Sequence, residues 1–333
     1  MARVTIKDIA KELGVSYTTV SRALTNRAGV NPITRERVVE EAKRMGYQPN
    51  ILARGLVMQR TDTIGLLVPD ITNPFSAEVA RGVENAAQEF GLTLILGDTN
   101  YSPELESQYI RRLGSNRVDG LLIMPVSSNA KTEVLDTGIP SVILNTKNAA
   151  DSTSFVTIDH ELGGYLATKH LLELGFRRVA IVGGKITSEA YEDRLVGYKK
   201  ALKDFGILYD AELIFSGPAV SNSAALKKAV AKLQGGEGPD AFFAANDVIA
   251  LDLLRALKAL PDRLGSGIGV IGFDDIPIAS FPDIELSTMA QPKYILGRTA
   301  VEILVQKINP VQENHAQHVI LPPELVIRKT VRE

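Results

Sequence analysis

Residues 5–24 read TIKDIAKELGVSYTTVSRAL, and their punctuation predicts two short helices joined by a tight turn. Thr5 stands where an N-cap is needed, and Asp8 follows three residues on, where a carboxylate favours the positive end of a helix. Ile6, Ile9, Ala10 and Leu13 then recur at helical spacing and make one face apolar. Gly14 falls where that helix must stop, because glycine takes a left-handed backbone at little cost. Ser16 is placed to cap a second helix with Val20 and Leu24 inward and Tyr17, Thr18, Ser21 and Arg22 outward. A third helix is expected from Pro32 to Met45 with Val38, Val39 and Ala42 inward, and the three enclose only a very small core.

Two short helices joined in this way form a helix-turn-helix, whose second helix normally enters the DNA major groove. Charge agrees: residues 1–60 carry eleven Lys and Arg against five Asp and Glu, a net +6, whereas the remainder carries 26 against 34, a net −8. A basic segment on an acidic body is the footprint of a nucleic-acid-binding module. Thr18 and Arg22 lie one helical turn apart beside Tyr17, near the end that reaches base edges. Arg22 either pairs bidentately with a guanine, worth ~1–3 kcal/mol of discrimination, or contacts a phosphate, and Thr18 suits a thymine methyl. Ser16, Thr19, Ser21, Asn26, Thr34, Tyr47 and Asn50 are donors suited to phosphate positioning.

With its continuation GYQPNILARGL at residues 46–56, the opening stretch resembles the LacI/GalR family of bacterial repressors. The resemblance runs essentially end to end. It implies a headpiece at residues 1–46, a hinge helix and linker at 47–60, and an effector-binding, dimerising core at 61–333. In the hinge, Leu56 would be the apolar wedge inserted into the minor groove, and Ala53 would let two hinges approach closely. A helix so short is not stable alone, so its folding must draw on DNA and partner contacts, and a wedge unstacks bases at a cost of a few kcal/mol. The other reading of Leu56 is a linker residue packed on the core.

From Thr61 the texture changes to Val-, Ile- and Leu-rich runs separated by amphipathic stretches: 64–69, 92–97, 120–125, 141–144, 156–158, 179–183, 241–245 and 269–273. Continuous apolar strands alternating with helices indicate an α/β architecture of doubly wound parallel sheets. The length suggests two lobes. The family implies a periplasmic-binding-protein-like core, with an N-lobe of about 61–160 plus 290–321 and a C-lobe of about 161–289 plus 322–333. Chain crossings are expected near Asp159–Glu161, Thr288–Gln291 and Leu321–Pro323. Ligands of such sheets sit beyond the carboxyl ends of strands. Asn73, Phe75, Asp159, Arg194, Asn246, Asp274 and Gln291 are the candidate effector residues, with Arg194, Asn246 and Asp274 foremost by resemblance. Asp accepts paired hydroxyl hydrogens, Arg and Asn are planar donors, and Phe75 could stack on a ring. For Asp159, Asp247 and Asp275 the competing role is to cap the next helix. The chain has no Trp to serve as a large stacking platform, and the polar set favours a sugar or sugar derivative. A nucleoside, a purine or a phosphoprotein corepressor is the alternative.

Enzymatic readings find little support. Cys is absent, and His160, His170, His315 and His318 lack metal-ligand spacing. His160, beside Asp159, could bind ligand, but it reads rather as a surface or crossover residue. Gly267-Ile-Gly-Val-Ile-Gly272 matches a dinucleotide motif literally but runs through an apolar strand, and Gly183-Gly-Lys185 lacks the upstream glycine of a phosphate loop. No cofactor or metal is expected. A secreted solute-binding protein would share the core fold but begin with a signal peptide, and this chain begins with a charged, capped helix. A cytoplasmic, membrane-free homodimer on near-palindromic operator DNA is expected, since only residues 330–333 follow a last strand placed at Glu324–Lys329, too few for a tetramerising helix.

Overall fold

The computed structural model describes residues 4–25, 28–47, 60–127, 129–147, 153–183, 188–217, 223–235, 238–261, 267–310 and 315–331. The chain forms two compact units, Met1–Thr61 and Asp62–Glu333. The first contains α1 (Ile6–Leu13), α2 (Tyr17–Leu24) and α3 (Pro32–Arg44). Thr5 and Asp8 close a reciprocal capping box: the Asp8 carboxylate accepts the Thr5 N–H at 2.8 Å and hydroxyl at 2.7 Å. These bonds hold the Asp8 carboxyl below its ordinary value. Gly14 takes φ +64° and its N–H returns to the Ala10 carbonyl, which ends α1. Ser16 Oγ accepts the Thr19 N–H at 3.0 Å and starts α2. Ile9, Ala10, Val20, Ala23, Val38 and Ala42 form the core; Leu13 and Leu24 are only partly buried against it. Val39 is likewise half-buried, and α3 stops one residue before the expected Met45.

The second unit holds two six-stranded sheets. In the first lobe, β1 (Thr63–Val68), β2 (Thr93–Asp98), β3 (Gly120–Ile123), β4 (Ser141–Leu144), β5 (Ser154–Ile158) and β11 (His318–Leu321) lie in the order β11-β5-β4-β3-β1-β2. All pairs are parallel. In the second, β6 (Val179–Val182), β7 (Ile214–Phe215), β8 (Ala241–Ala244), β9 (Gly269–Asp274), β10 (Ser287–Ala290) and β12 (Glu324–Val326) lie in the order β12-β10-β9-β8-β6-β7, with β12 antiparallel to β10. Buried runs such as Leu66 to Val68 and Phe242 to Ala244 explain why strands with helices on both faces read as continuous apolar segments. The chain crosses between sheets after β5, after β10 and between β11 and β12. β10 itself still belongs to the second sheet, so the middle crossing begins only at Gln291.

Helices α4 (Pro74–Glu89), α5 (Pro103–Ser115), α6 (Ala130–Asp136) and α11 (Lys293–Ile308) serve the first lobe; α7 (His160–Glu173), α8 (Glu189–Asp204), α9 (Ala224–Gln234) and α10 (Asp247–Lys258) serve the second. Each lobe contains one very close helix crossing. A Cβ on Gly82 of α4 or Gly297 of α11 would run into the backbone of Tyr294 or Val79, and one on Gly164 of α7 or Gly197 of α8 into that of Arg194 or Glu161. The second crossing fixes where Arg194 starts its reach into the cleft.

Candidate functional site

The headpiece presents Tyr17, Thr18 and Arg22 on the exposed side of α2, opposite buried Val20 and Ala23. Tyr17 is 60% exposed, too much for an aromatic used only in packing. Ser16 and Thr19 pair their hydroxyls at 2.8 Å, Ser21 and Thr34 are half-buried, and Tyr47 packs partly on the headpiece core. Asn26, Asn50, Ala53 and Leu56 lie outside the described residues.

In the core unit, polar side chains converge between the sheets at the carboxyl ends of their strands, where doubly wound sheets bind ligands. Arg194 of α8 is 8% exposed; its Nη1 donates to the Ala245 carbonyl and its guanidinium lies 3.6 Å from the Phe273 ring centroid. Among the described residues no carboxylate stands within ion-pairing distance of it. Burial lowers its pKa to about 10, still far above neutrality, so a desolvated cation is held by neutral acceptors and a ring face. Asp274 ends β9 with φ +134° and is 4% exposed. Burial first, and then the neighbouring Asp247 carboxylate, raise its pKa well above the carboxylate range. Gln291 donates its amide to Asp274 Oδ1, and its own Oε1 is buried with no hydrogen-bond partner among the described residues.

Capping claims the oxygens of three candidates. Asn73, Asp159 and Asn246 accept from the N–H groups of Phe75, Leu162 and Ile249 at 3.0, 3.0 and 2.9 Å. Phe75 is buried in the first lobe's core with Leu66 and Val79, which leaves little ring face for stacking. Asp247 accepts from Thr288 Oγ1 at 2.6 Å and the Ile276 N–H at 2.9 Å, tucked against Gly272, where a Cβ would collide with it. Gly269 and Gly272 of the apparent dinucleotide motif therefore pack a strand, and Gly267 makes the turn before it with φ +82°. Asp275 pairs with Arg328 at 2.7 Å.

Several site residues were not singled out from sequence. Lys293 is 5% exposed; its Nζ bonds the carbonyls of Asp274 and of Asp275, the latter at 3.0 Å, and lies 3.6 Å from Glu78 of α4, joining the lobes. Tyr101, 36% exposed, follows β2 with φ +54°; partial desolvation of its hydroxyl, then Asp70 and Asp274, push its phenol up to about 12. His160, read as a surface or crossover residue, is at the crossover but buried, with its ring nitrogens bonded to Arg194 and Asn145. Its position beside Asp159 at a predicted strand end was the available signal. Among the described residues no three His, Asp or Glu side chains are grouped to hold a metal, and no helix is long and apolar enough to cross a membrane.

Residues 5–50 match the family described as bacterial regulatory proteins, lacI family, and residues 168–331 match a periplasmic binding protein-like domain. The chain is 36% identical over 335 residues to the HTH-type transcriptional repressor PurR of Photobacterium profundum, covering 99% of each chain. Among solved structures, it resembles a lac repressor dimer bound to operator and the anti-inducer ONPF, with TM-score 0.85, 28% identity and 99% of each chain covered. It also resembles the transcriptional regulator CelR in complex with cellobiose, with TM-score 0.73, 30% identity, and 99% of this chain and 100% of that one covered.

Proposed function

The chain belongs to the LacI family of bacterial regulatory proteins and is a DNA-binding transcriptional repressor, and from that premise we propose that a sugar or sugar derivative in the interlobe cleft controls its operator affinity. The observation that carries this reading is the trio of Arg194, Asp274 and Gln291: a buried guanidinium, a carboxyl group and a buried carbonyl, the first with no paired carboxylate and the last with no hydrogen-bond partner among the described residues. Together they offer the donors and acceptors that adjacent hydroxyls need. The cellobiose bound by the similar CelR regulator supports it. A purine or nucleoside is the second reading, carried by the likeness to a repressor named PurR. A thermal-shift screen of mono- and disaccharides, sugar phosphates, nucleosides and nucleobases decides between them. A ligand at a hundred times its Kd adds about 2.7 kcal/mol of stability. A sugar shift abolished by Arg194→Ala is the expected result; a response to nucleobases alone overturns the sugar assignment, and a shift that survives Arg194→Ala misplaces the pocket.

Two copies pair through their cores to place two headpieces on a near-palindromic operator. The lac repressor dimer supports this, as does the apolar edge around β2, where Phe90, Ile95 and Leu96 are 47%, 40% and 41% exposed. Effector binding changes DNA affinity by its differential affinity for the two states of the repressor. On DNA, Tyr17, Thr18 and Arg22 read bases and Leu56 wedges the minor groove. With a duplex selected from random sequence, titration should give two chains per site. Arg22→Ala should weaken binding by ~1–3 kcal/mol and relax preference at one base pair per half-site. Uniform weakening across sequences, with the salt slope reduced by about 1, would instead make Arg22 a phosphate contact. Leu56→Ala should weaken the same complex and leave effector affinity unchanged.

A further inference from the structure

His160 opens α7 at the first crossing between the lobes and is 1% exposed. Its Nδ1 lies 3.2 Å from Arg194 Nη2 and 3.4 Å from Arg194 Nε, and its Nε2 lies 3.0 Å from Asn145 Oδ1. A guanidinium can only donate, so Nδ1 must offer its lone pair, and the ring hydrogen must sit on Nε2, donated to Asn145. An imidazolium would turn N–H towards N–H at Arg194. From α8 the ring faces Arg194, from the loop after β4 it faces Lys147, and from β9 it meets the Phe273 ring at 5.9 Å between centroids, with Asp274 beyond Arg194. Burial, reinforced by the charges of Arg194 and Lys147, depresses its pKa well below the ordinary histidine value.

Asn145 leads a clasp between lobes. It follows β4 with φ +62°, a backbone region asparagine enters more readily than most residues. Beyond it, Thr146 Oγ1 and the Lys147 N–H both donate to the Glu189 carboxylate of α8, the latter at 2.7 Å, and Lys147 Nζ meets Asp193 at 3.1 Å. The imidazole thus touches, through one nitrogen, the cation of the proposed effector site and, through the other, the first-lobe loop bonded to the second lobe.

We infer that His160 is a positioning residue that couples effector contact to lobe closure: as the neutral Nε2–H tautomer it orients the Arg194 guanidinium while gripping Asn145 of the opposite lobe. This rests on Arg194 being an effector residue, but closure can be read without any ligand.

Because the chain has no Cys, spin labels at Arg111→Cys of α5 and Lys203→Cys of α8, both exposed, report the interlobe distance in the full-length effector-free protein. His160→Phe removes both bonds and should lower the ratio of closed to open molecules about tenfold. His160→Gln, whose amide reaches the Nε2 position, should restore the closed distance. His160→Asn, which keeps an acceptor only at the Nδ1 position, should not. As pH falls from the ordinary histidine value of about 6.5 into the depressed range of His160, the unchanged chain should open as the imidazole takes up a proton, while His160→Gln should not respond. The same narrow distance in His160→Phe, or an identical pH response in His160→Gln, overturns the proposal. If Arg194 were not an effector residue, these distances would stand and only the ligand screen would fail. Should His160→Phe not fold, the Gln and Asn pair alone carries the test.

Discussion

Asp274→Asn is expected to raise the melting temperature of the effector-free chain by a few degrees while weakening the sugar with the largest thermal shift by about a hundredfold. The two effects have separate causes. The carboxyl is buried, its charged form is disfavoured by desolvation and by the Asp247 charge, and Asn removes that burden while keeping an oxygen for the Gln291 amide. The lost affinity reflects the second carboxyl oxygen as hydroxyl acceptor: binding the sugar hydroxyls favours release of the Asp274 proton, and a hydrogen bond to the resulting charged group is worth ~1.5–3 kcal/mol.

The pH dependence identifies the group. A folded pKa above the ordinary 3.8 means the native state holds a proton that the unfolded chain has released. Wild-type stability is therefore lost as pH rises through that window, and the advantage of Asp274→Asn should widen from pH 5 to pH 8. His160 acts in the opposite sense, because its pKa is depressed and protonation of the unfolded chain removes stability as pH falls below about 6.5. As both chains contain His160, its contribution cancels in their difference. A gap in melting temperature that stayed flat, or an affinity that did not change, would remove Asp274 from the buried, hydroxyl-binding role.

Local signals carried most of the fold. The Thr5–Asp8 box, Gly14 and Ser16 act within a few residues of themselves, and the apolar runs of β1, β3, β4, β6 and β8 are visible because their strands are buried on both faces. The strands left unread are short or mixed: β7 has two residues, and β10 carries Ser287 and Thr288 in the core because their hydroxyls bond Arg328 and Asp247. The site was harder to read than the fold. Asp274 stands out by its position at a strand end and Gln291 by its place at an expected crossing, but Lys293 acquires its role only when the middle crossing brings it to the carbonyls at the end of β9 in one lobe and to Glu78 in the other. His160 needed Asn145 and Arg194, fifteen and thirty-four residues away, before its two nitrogens meant anything. Conversely, Asn73, Asp159 and Asn246 could be identified as helix starts from sequence, and capping is the role that the described contacts display.

Gly164→Val is expected to have the largest effect on stability of any single substitution discussed, at least ~3 kcal/mol, with Gly164→Ala intermediate. Helix propensity alone predicts the reverse, because replacing a mid-helix glycine with alanine gains ~1 kcal/mol. Packing decides the sign. A Cβ at Gly164 would lie only 2.8 Å from the Arg194 carbonyl carbon, and the obstacle is backbone on α8, which cannot rotate aside as a side-chain tip can. Gly114 of α5 is the control: its added Cβ would meet Ile139 Cδ1 at 3.6 Å and Thr137 Cγ2 at 4.0 Å, ordinary contacts, so Gly114→Ala should be neutral or stabilising. Because the displaced backbone is that of Arg194 itself, Gly164→Ala should also weaken effector binding in molecules that remain folded, by moving the guanidinium off His160 and the Ala245 carbonyl. Thermal melting of the three variants, with effector affinity measured on Gly164→Ala, tests both parts. If Gly164→Ala melted as high as Gly114→Ala, the α7–α8 crossing would not be the constraint that places Arg194.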